Sequence, residues 1–196
     1  MKSLITLLKE QPLLREASAI NALAFASFGM FWTTMVLHLS GSSFNFHSDK
    51  IGLFGLAATA GALLAPFIGG SADKGNPRVV IGYGILIVGF SFVVFYLFSF
   101  SVIGIIIGII LLDLGIQSIH VSNQTRIYAL LPDARNRLNT VFMTISFIGT
   151  SLGSALGLWL WDKTGWTGIC SAGILLLILA GVVYLLTYKK SAAMLL

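Results

Sequence analysis

Six stretches of about 20 mostly apolar residues dominate this chain, and each is long enough to cross a hydrocarbon layer roughly 30 Å thick as a helix. They are Ala17–Leu39, Ile51–Ala72, Val79–Phe98, Val102–Tyr128, Leu138–Trp161 and Trp166–Tyr188. Short polar breaks separate them: Gly41-Ser-Ser, Gly75-Asn76-Pro77, Ser99–Ser101, Pro132-Asp133 and Asp162–Gly165. The reading is an all-α membrane protein, with 1–16 as a linker segment, 17–188 as a six-helix bundle and 189–196 as a tail. Composition agrees, since 57% of the 196 residues are hydrophobic, 10% are charged, and soluble domains carry about a quarter charged residues. A water-soluble enzyme, a disordered tail and a nucleic-acid-binding module are thereby excluded, although the net charge is +5. The single cysteine, Cys170, lies in an apolar run and offers neither a disulfide nor a paired-thiol metal site. No cofactor is expected, and Met1–Leu8 is too short an apolar stretch to read as a cleaved signal.

The cations set the expected orientation. Lys2, Lys9, Arg15, Lys74, Arg78, Arg126, Arg135, Arg137, Lys189 and Lys190 fall on one side of the six-span scheme, leaving Lys50 and Lys163 on the other. Positive charge accumulates on the cytoplasmic side, which puts both termini there, in the inner membrane of a bacterium. Trp161 and Trp166 bracket an outer loop and read as interfacial anchors. Adding 89 to the first three spans gives 106–128, 140–161 and 168–187, which overlay the last three. With three helices intervening, the second triplet runs in the opposite sense, as a 3+3 inverted repeat would.

Polar residues are concentrated in the fourth span. Asp113, Gln117, His120 and Gln124 recur at i, i+4, i+7 and i+11, within a sector of about 60°. At 1.5 Å per residue the stripe extends roughly 16 Å along the helix. Such side chains can simply bind neighbouring helices, the plainer reading for Gln124. Asp113 is different: a carboxylate near mid-membrane costs about 3 kcal/mol on insertion scales and marks a proton or substrate site. A cationic solute would favour its deprotonated form and a proton its neutral form, so the two would compete.

The first span has a matching face of Asn21, Phe25, Phe28, Trp32 and Met35, suited to a bulky apolar solute or to a cation over ring faces, or else to ordinary packing. Gly149, Gly153 and Gly157, like Ala57, Gly61 and Ala65, form small-residue steps for close helix packing. Gly149-Thr-Ser151-Leu-Gly153 matches a nucleophile-elbow pattern, but inside an expected helix rather than at a strand-to-helix turn. The third and sixth spans are nearly featureless and read as outer, lipid-facing helices.

The second-to-third loop, Gly69-Gly70-Ser71-Ala72-Asp73-Lys74-Gly75-Asn76-Pro77-Arg78, resembles the signature loop of the major facilitator superfamily, matching at Gly69, Ala72, Asp73, Lys74 and Arg78. Ser71, Asn76 and Pro77 depart from the pattern. The resemblance implies a twelve-helix transporter of two six-helix halves, with nested inverted repeats, and a conformational latch at Asp73. The stretches Asp113–Gln117, Val121–Leu130 and Arg137–Thr144 are similar to helices ten and eleven of bacterial drug/proton-antiporter-like members. The chain is therefore expected to be a C-terminal half, with Met1–Glu16 from the central linker. It would move a small organic solute by alternating access, with proton-coupled efflux, alongside a second half that is either an N-terminal half or another copy. The alternatives are a non-transporting membrane subunit, a truncated transporter fragment, or an intramembrane enzyme pairing a serine with His38, His47 or His120.

Overall fold

The computed structural model describes the backbone of residues 4–73 and 76–192, with all of their side chains except those of residues 5, 60, 62, 64–73, 132 and 188–192. The described chain forms α1 (Leu4–Glu10), α2 (Pro12–Ser40), α3 (Ser48–Asp73), α4 (Pro77–Leu97), α5 (Val102–Tyr128) and α6 (Arg135–Ala192), with a 3-10 turn at Pro132–Ala134. Local chemistry sets several boundaries. Asn76 accepts from the Arg78 backbone N–H at 3.0 Å ahead of Pro77, and Ser101 accepts from that of Gly104 at 3.2 Å.

With 58 residues, α6 would be about 87 Å long if straight, far more than one crossing requires. It breaks at Gly165, where φ is 60° and ψ −152°, a conformation that residues with a Cβ avoid. The expected loop at Asp162–Gly165 thus contracts to one glycine between two limbs, 135–164 and 166–192.

Contacts fix the relative directions of α2, α4, α5 and the two limbs of α6. Near their starts α2 and α4 are joined through Glu16 and Arg78, and near their ends through Phe31 and Phe95, whose rings stack 4.2 Å apart, so the two are parallel. On α5, Gly108 lies against Phe95 and Gly115 against Val88, an antiparallel register with α4. The first limb of α6 runs with α2, its Gly149, Gly153 and Gly157 set against Ala22, Ala26 and Met30. The second limb runs against α4, from Trp166 at Phe95 to Thr187 at Arg78. Finally, α3 lies along α5, with Gly61 against Ile110 and Asp113. By length and composition α2, α4, α5 and residues 135–187 can cross a membrane, the last of these containing the reversal.

The glycine row on α6 explains the α2–α6 seam. A Cβ at Gly149 or Gly153 would come within 3 Å of the Ala22 or Ala26 backbone, so only glycine allows this approach there, and Gly157 continues the row against Met30. Thr33 donates to the Ser154 hydroxyl at 3.0 Å and Ser154 to the Gly29 carbonyl at 3.2 Å, closing the same seam. The elbow-like Gly149–Gly153 pattern is therefore a packing motif, and Ser151 within it is exposed. Trp166 departs from its expected interfacial role. The turn at Gly165 directs its ring inward, where it is 8% exposed, stacks on His38 at 4.0 Å and donates to the Phe95 carbonyl. Along α4 and the second limb, Tyr83, Leu86, Phe90, Ile178, Leu185 and Leu186 form wide exposed apolar faces, and so do Leu53, Leu56 and Leu63 of α3 and Leu152, Leu158 and Trp159 of the first limb.

Candidate functional site: an unpaired polar centre beside a paired basic end

The α5 stripe meets different neighbours along its length. Asp113 faces Gly61 of α3, is 6% exposed, and its Oδ2 has no hydrogen-bond partner among the described residues. Gln117 is half-buried one turn further on. His120 sits between two rings, with Phe25 of α2 at 5.3 Å and Phe142 of α6 stacked on it at 5.4 Å. Gln124 donates to the Asn139 side chain of α6 at 3.0 Å, the packing role expected of it.

Asn21 connects α2 to the stripe. It is fully buried, its Nδ2 lies 3.2 Å from His120 Nδ1, and it donates to Ser146 Oγ at 2.7 Å. The aromatic face continues from Phe25 to Phe28 at 6.0 Å and on to Trp32 at 6.1 Å, all three half-buried. Asn21 and Phe25 therefore join the polar stripe, whereas Phe28 and Trp32 extend the wall beyond it. Asn21 Oδ1 and Trp32 Nε1 are buried without partners among the described residues. Sequence reasoning passed over Ser146 and Phe142. Both fall on the helical row of Gly149, Gly153 and Gly157 continued toward the start of α6, the signal that could have found them.

A second cluster closes the end of the bundle where α2 and α4 begin and α5 finishes. Glu16 Oε1 lies 3.1 Å from an Arg126 guanidinium nitrogen and 3.4 Å from one of Arg78, so a single carboxylate bridges the starts of α2 and α4 and the end of α5. All three side chains are at most 10% exposed. Arg78 also donates to the Tyr184 carbonyl and the Thr187 hydroxyl of α6, while Arg126 reaches Asn123. Arg78 thus has a definite place, whereas the Gly69 and Asp73 side chains and the whole of Lys74 lie outside the described residues. Beside this cluster Leu7, Leu14, Ile127, Leu138 and Phe142 form a small core of their own. Glu16 and Arg126 went unrecognised as a pair, because partners 110 positions apart leave no local signal.

Among the described residues no group of three His, Cys, Asp or Glu is placed to hold a metal. Two apolar grooves run along the outside of the bundle, one lined by Val79, Tyr83 and Tyr184, the other by Phe46, Phe54 and Ile106, and neither contains a member of the polar centre.

The model of the Major Facilitator Superfamily matches residues 17–193. The chain is 38% identical over 171 residues to the "Uncharacterized transporter YgaY" of Escherichia coli O157:H7, covering 87% of this chain and 43% of that protein. It is 26% identical over 166 residues to the "Probable transporter SCO4007" of Streptomyces coelicolor, covering 84% and 38% respectively. The chain thus spans less than half the length of the curated relatives it matches. Its long apolar helices and the match across nearly the whole bundle lead to one conclusion: the chain is an integral membrane protein that belongs to the major facilitator superfamily.

Proposed function

We propose that this chain is the C-terminal six-helix half of a transporter that moves a small organic solute outward by alternating access, coupled to proton influx. The observation that carries this reading is the polar centre: Asp113, Asn21 and Trp32 each present a buried polar atom without a partner among the described residues, with the rings of Phe25 and Phe28 lying between Asn21 and Trp32 along α2. An unmet buried donor or acceptor costs about 1–3 kcal/mol. Such groups persist where a ligand, water or a proton completes them. Asp113 takes the proton, and the rings of Phe25, Phe28 and Trp32 take the apolar body of a cationic solute.

The 3+3 inverted arrangement is supported by the offset of 89. Applied to α3 and α4 it gives 137–162 and 166–186, on either side of the reversal at Gly165. The second half is an N-terminal half or another copy, and this chain supplies one wall of the pathway. By itself the chain should not transport. Against the enzymatic alternative, His120 meets the Asn21 amide, and the serine nearest to it in this network donates its own proton to the Phe142 carbonyl at 2.8 Å.

Efflux of ethidium and tetraphenylphosphonium from proteoliposomes, with a pH dye in the lumen, tests the reading. The twelve-helix assembly should exchange one of these cations for protons, and this chain alone should not. Transport by this chain as a demonstrated monomer would contradict the half-transporter reading. The orientation, with both termini cytoplasmic, has a separate test. Cysteines at the exposed positions Ser43 and Lys163 should react with an impermeant thiol reagent in intact cells, and cysteines at the exposed Asn76 and Asn136 should not.

A further inference from the structure

The hydrogen bonds around Asn21 determine which nitrogen of His120 carries its proton. Ser146 Oγ lies 2.8 Å from the Phe142 carbonyl, an acceptor, so the single hydroxyl proton of Ser146 is committed there. Toward Asn21 the same oxygen, 2.7 Å away, can then only accept. The Asn21 atom facing it must be Nδ2 rather than Oδ1, which fixes the amide orientation on chemical grounds. That Nδ2 has a second proton and lies 3.2 Å from His120 Nδ1. Two donors cannot share this contact, so Nδ1 accepts and is bare, and in the neutral ring the proton resides on Nε2. In this orientation both Nδ2 protons are used, and Oδ1 is left buried without a partner among the described residues.

From this geometry we infer that Asn21 and Ser146 are positioning residues that hold His120 as its Nε2–H tautomer, making the ring a fixed hydrogen-bond donor toward the solute. The inference deepens the transport reading and rests on it for the role of His120. The three residues come from α2, α5 and α6, so the tautomer is set by how these helices pack rather than by α5 alone. The ring plane is fixed as well, since Phe25 and Phe142 flank it. No hydrogen bond to Nε2 is formed among the described residues, and the half-buried ring can offer that proton to an acceptor oxygen of a solute lying on the aromatic wall. A solute with a carbonyl, ether or carboxylate oxygen next to its apolar body fits this arrangement.

Nitrogen-15 spectra of the full chain, labelled at its three histidines and purified in lipid nanodiscs at neutral pH, test the inference without any transport measurement. The His120 signals are identified by their loss in His120→Gln. A neutral ring with protonated Nε2 and bare Nδ1 is expected. A ring with protonated Nδ1, a mixture of tautomers or an imidazolium would overturn the inference. Asn21→Asp, whose carboxylate can only accept, should move the proton to Nδ1, and Ser146→Ala, which releases the amide to turn, should yield both tautomers. Because the unsubstituted chain alone decides the first point, a variant that fails to fold leaves the result standing. An unchanged Nε2–H signal in a folded Asn21→Asp or Ser146→Ala chain would show that these residues do not set the tautomer. A transporter that moves no cation, combined with the expected spectrum, would refute the transport reading and leave the tautomer assignment in place.

Discussion

The two polar regions of this bundle use the same helices in opposite ways. At the end where α2 and α4 begin, Glu16 is matched by Arg78 and Arg126, and Arg78 also binds the carbonyl and hydroxyl of the second limb of α6. Further in along the same helices, about one and a half turns at Asn21 and roughly four turns at Trp32 and Asp113, each of these residues leaves a buried polar atom open among the described residues. The first region pairs its opposite charges and ties four helix segments together. The second is held apart from complete pairing by the ring wall of α2 and by the glycine face of α3 at Gly61. The difference separates charge that holds the bundle from polarity kept available within it.

Neutralising the charge-paired end should have the largest effect. Glu16→Gln leaves two buried guanidiniums without their carboxylate and should destabilise the bundle by about 3–5 kcal/mol. Equilibrium unfolding in mixed micelles checks this, and a loss under 1 kcal/mol would place Glu16 in a solvated, dispensable pair. The glycine-packed α2–α6 seam provides a reference free of charge. Gly153→Leu drives a side chain into the Ala26 backbone, an overpacking expected to cost about 1–3 kcal/mol in the same assay.

How far these regions could be read from the sequence follows from the range of the interactions. The apolar runs located every long helix, and α5 falls on the residues expected for the fourth span, because length and hydropathy are local properties. The stripe of Asp113, Gln117, His120 and Gln124 was legible by helical period alone. Its division among three neighbours was not: period shows that four residues share a face, but not that Asp113 meets α3 while His120 meets α2 and α6. The inward turn of Trp166 and the bridging by Glu16 were equally hidden, since both arise only once distant segments have packed. The Gly165 reversal was anticipated as a loop but contracted to one residue, because a single glycine at positive φ suffices to turn the chain.

Within the open region, substitutions should change function far more than stability. Trp32→Phe removes an unpartnered buried N–H while keeping most of the ring wall, so stability should be unchanged or raised by up to about 1 kcal/mol. A loss beyond 1 kcal/mol in mixed micelles would reveal a structural hydrogen bond there. The same variant should weaken binding of an aromatic-stacking cation in the assembled transporter, measured by fluorescence quenching of ethidium.

The most direct measurement is proton exchange by the assembled transporter carrying Asp113→Asn. The amide retains the shape of the carboxyl group and cannot ionise, so unfolding in mixed micelles should shift by no more than about 1 kcal/mol, the centre of the range for single substitutions. Cation-driven proton movement across the proteoliposome membrane should be abolished. If the variant retains full transport with its normal pH dependence, Asp113 is a structural carboxylate and the proton site lies elsewhere.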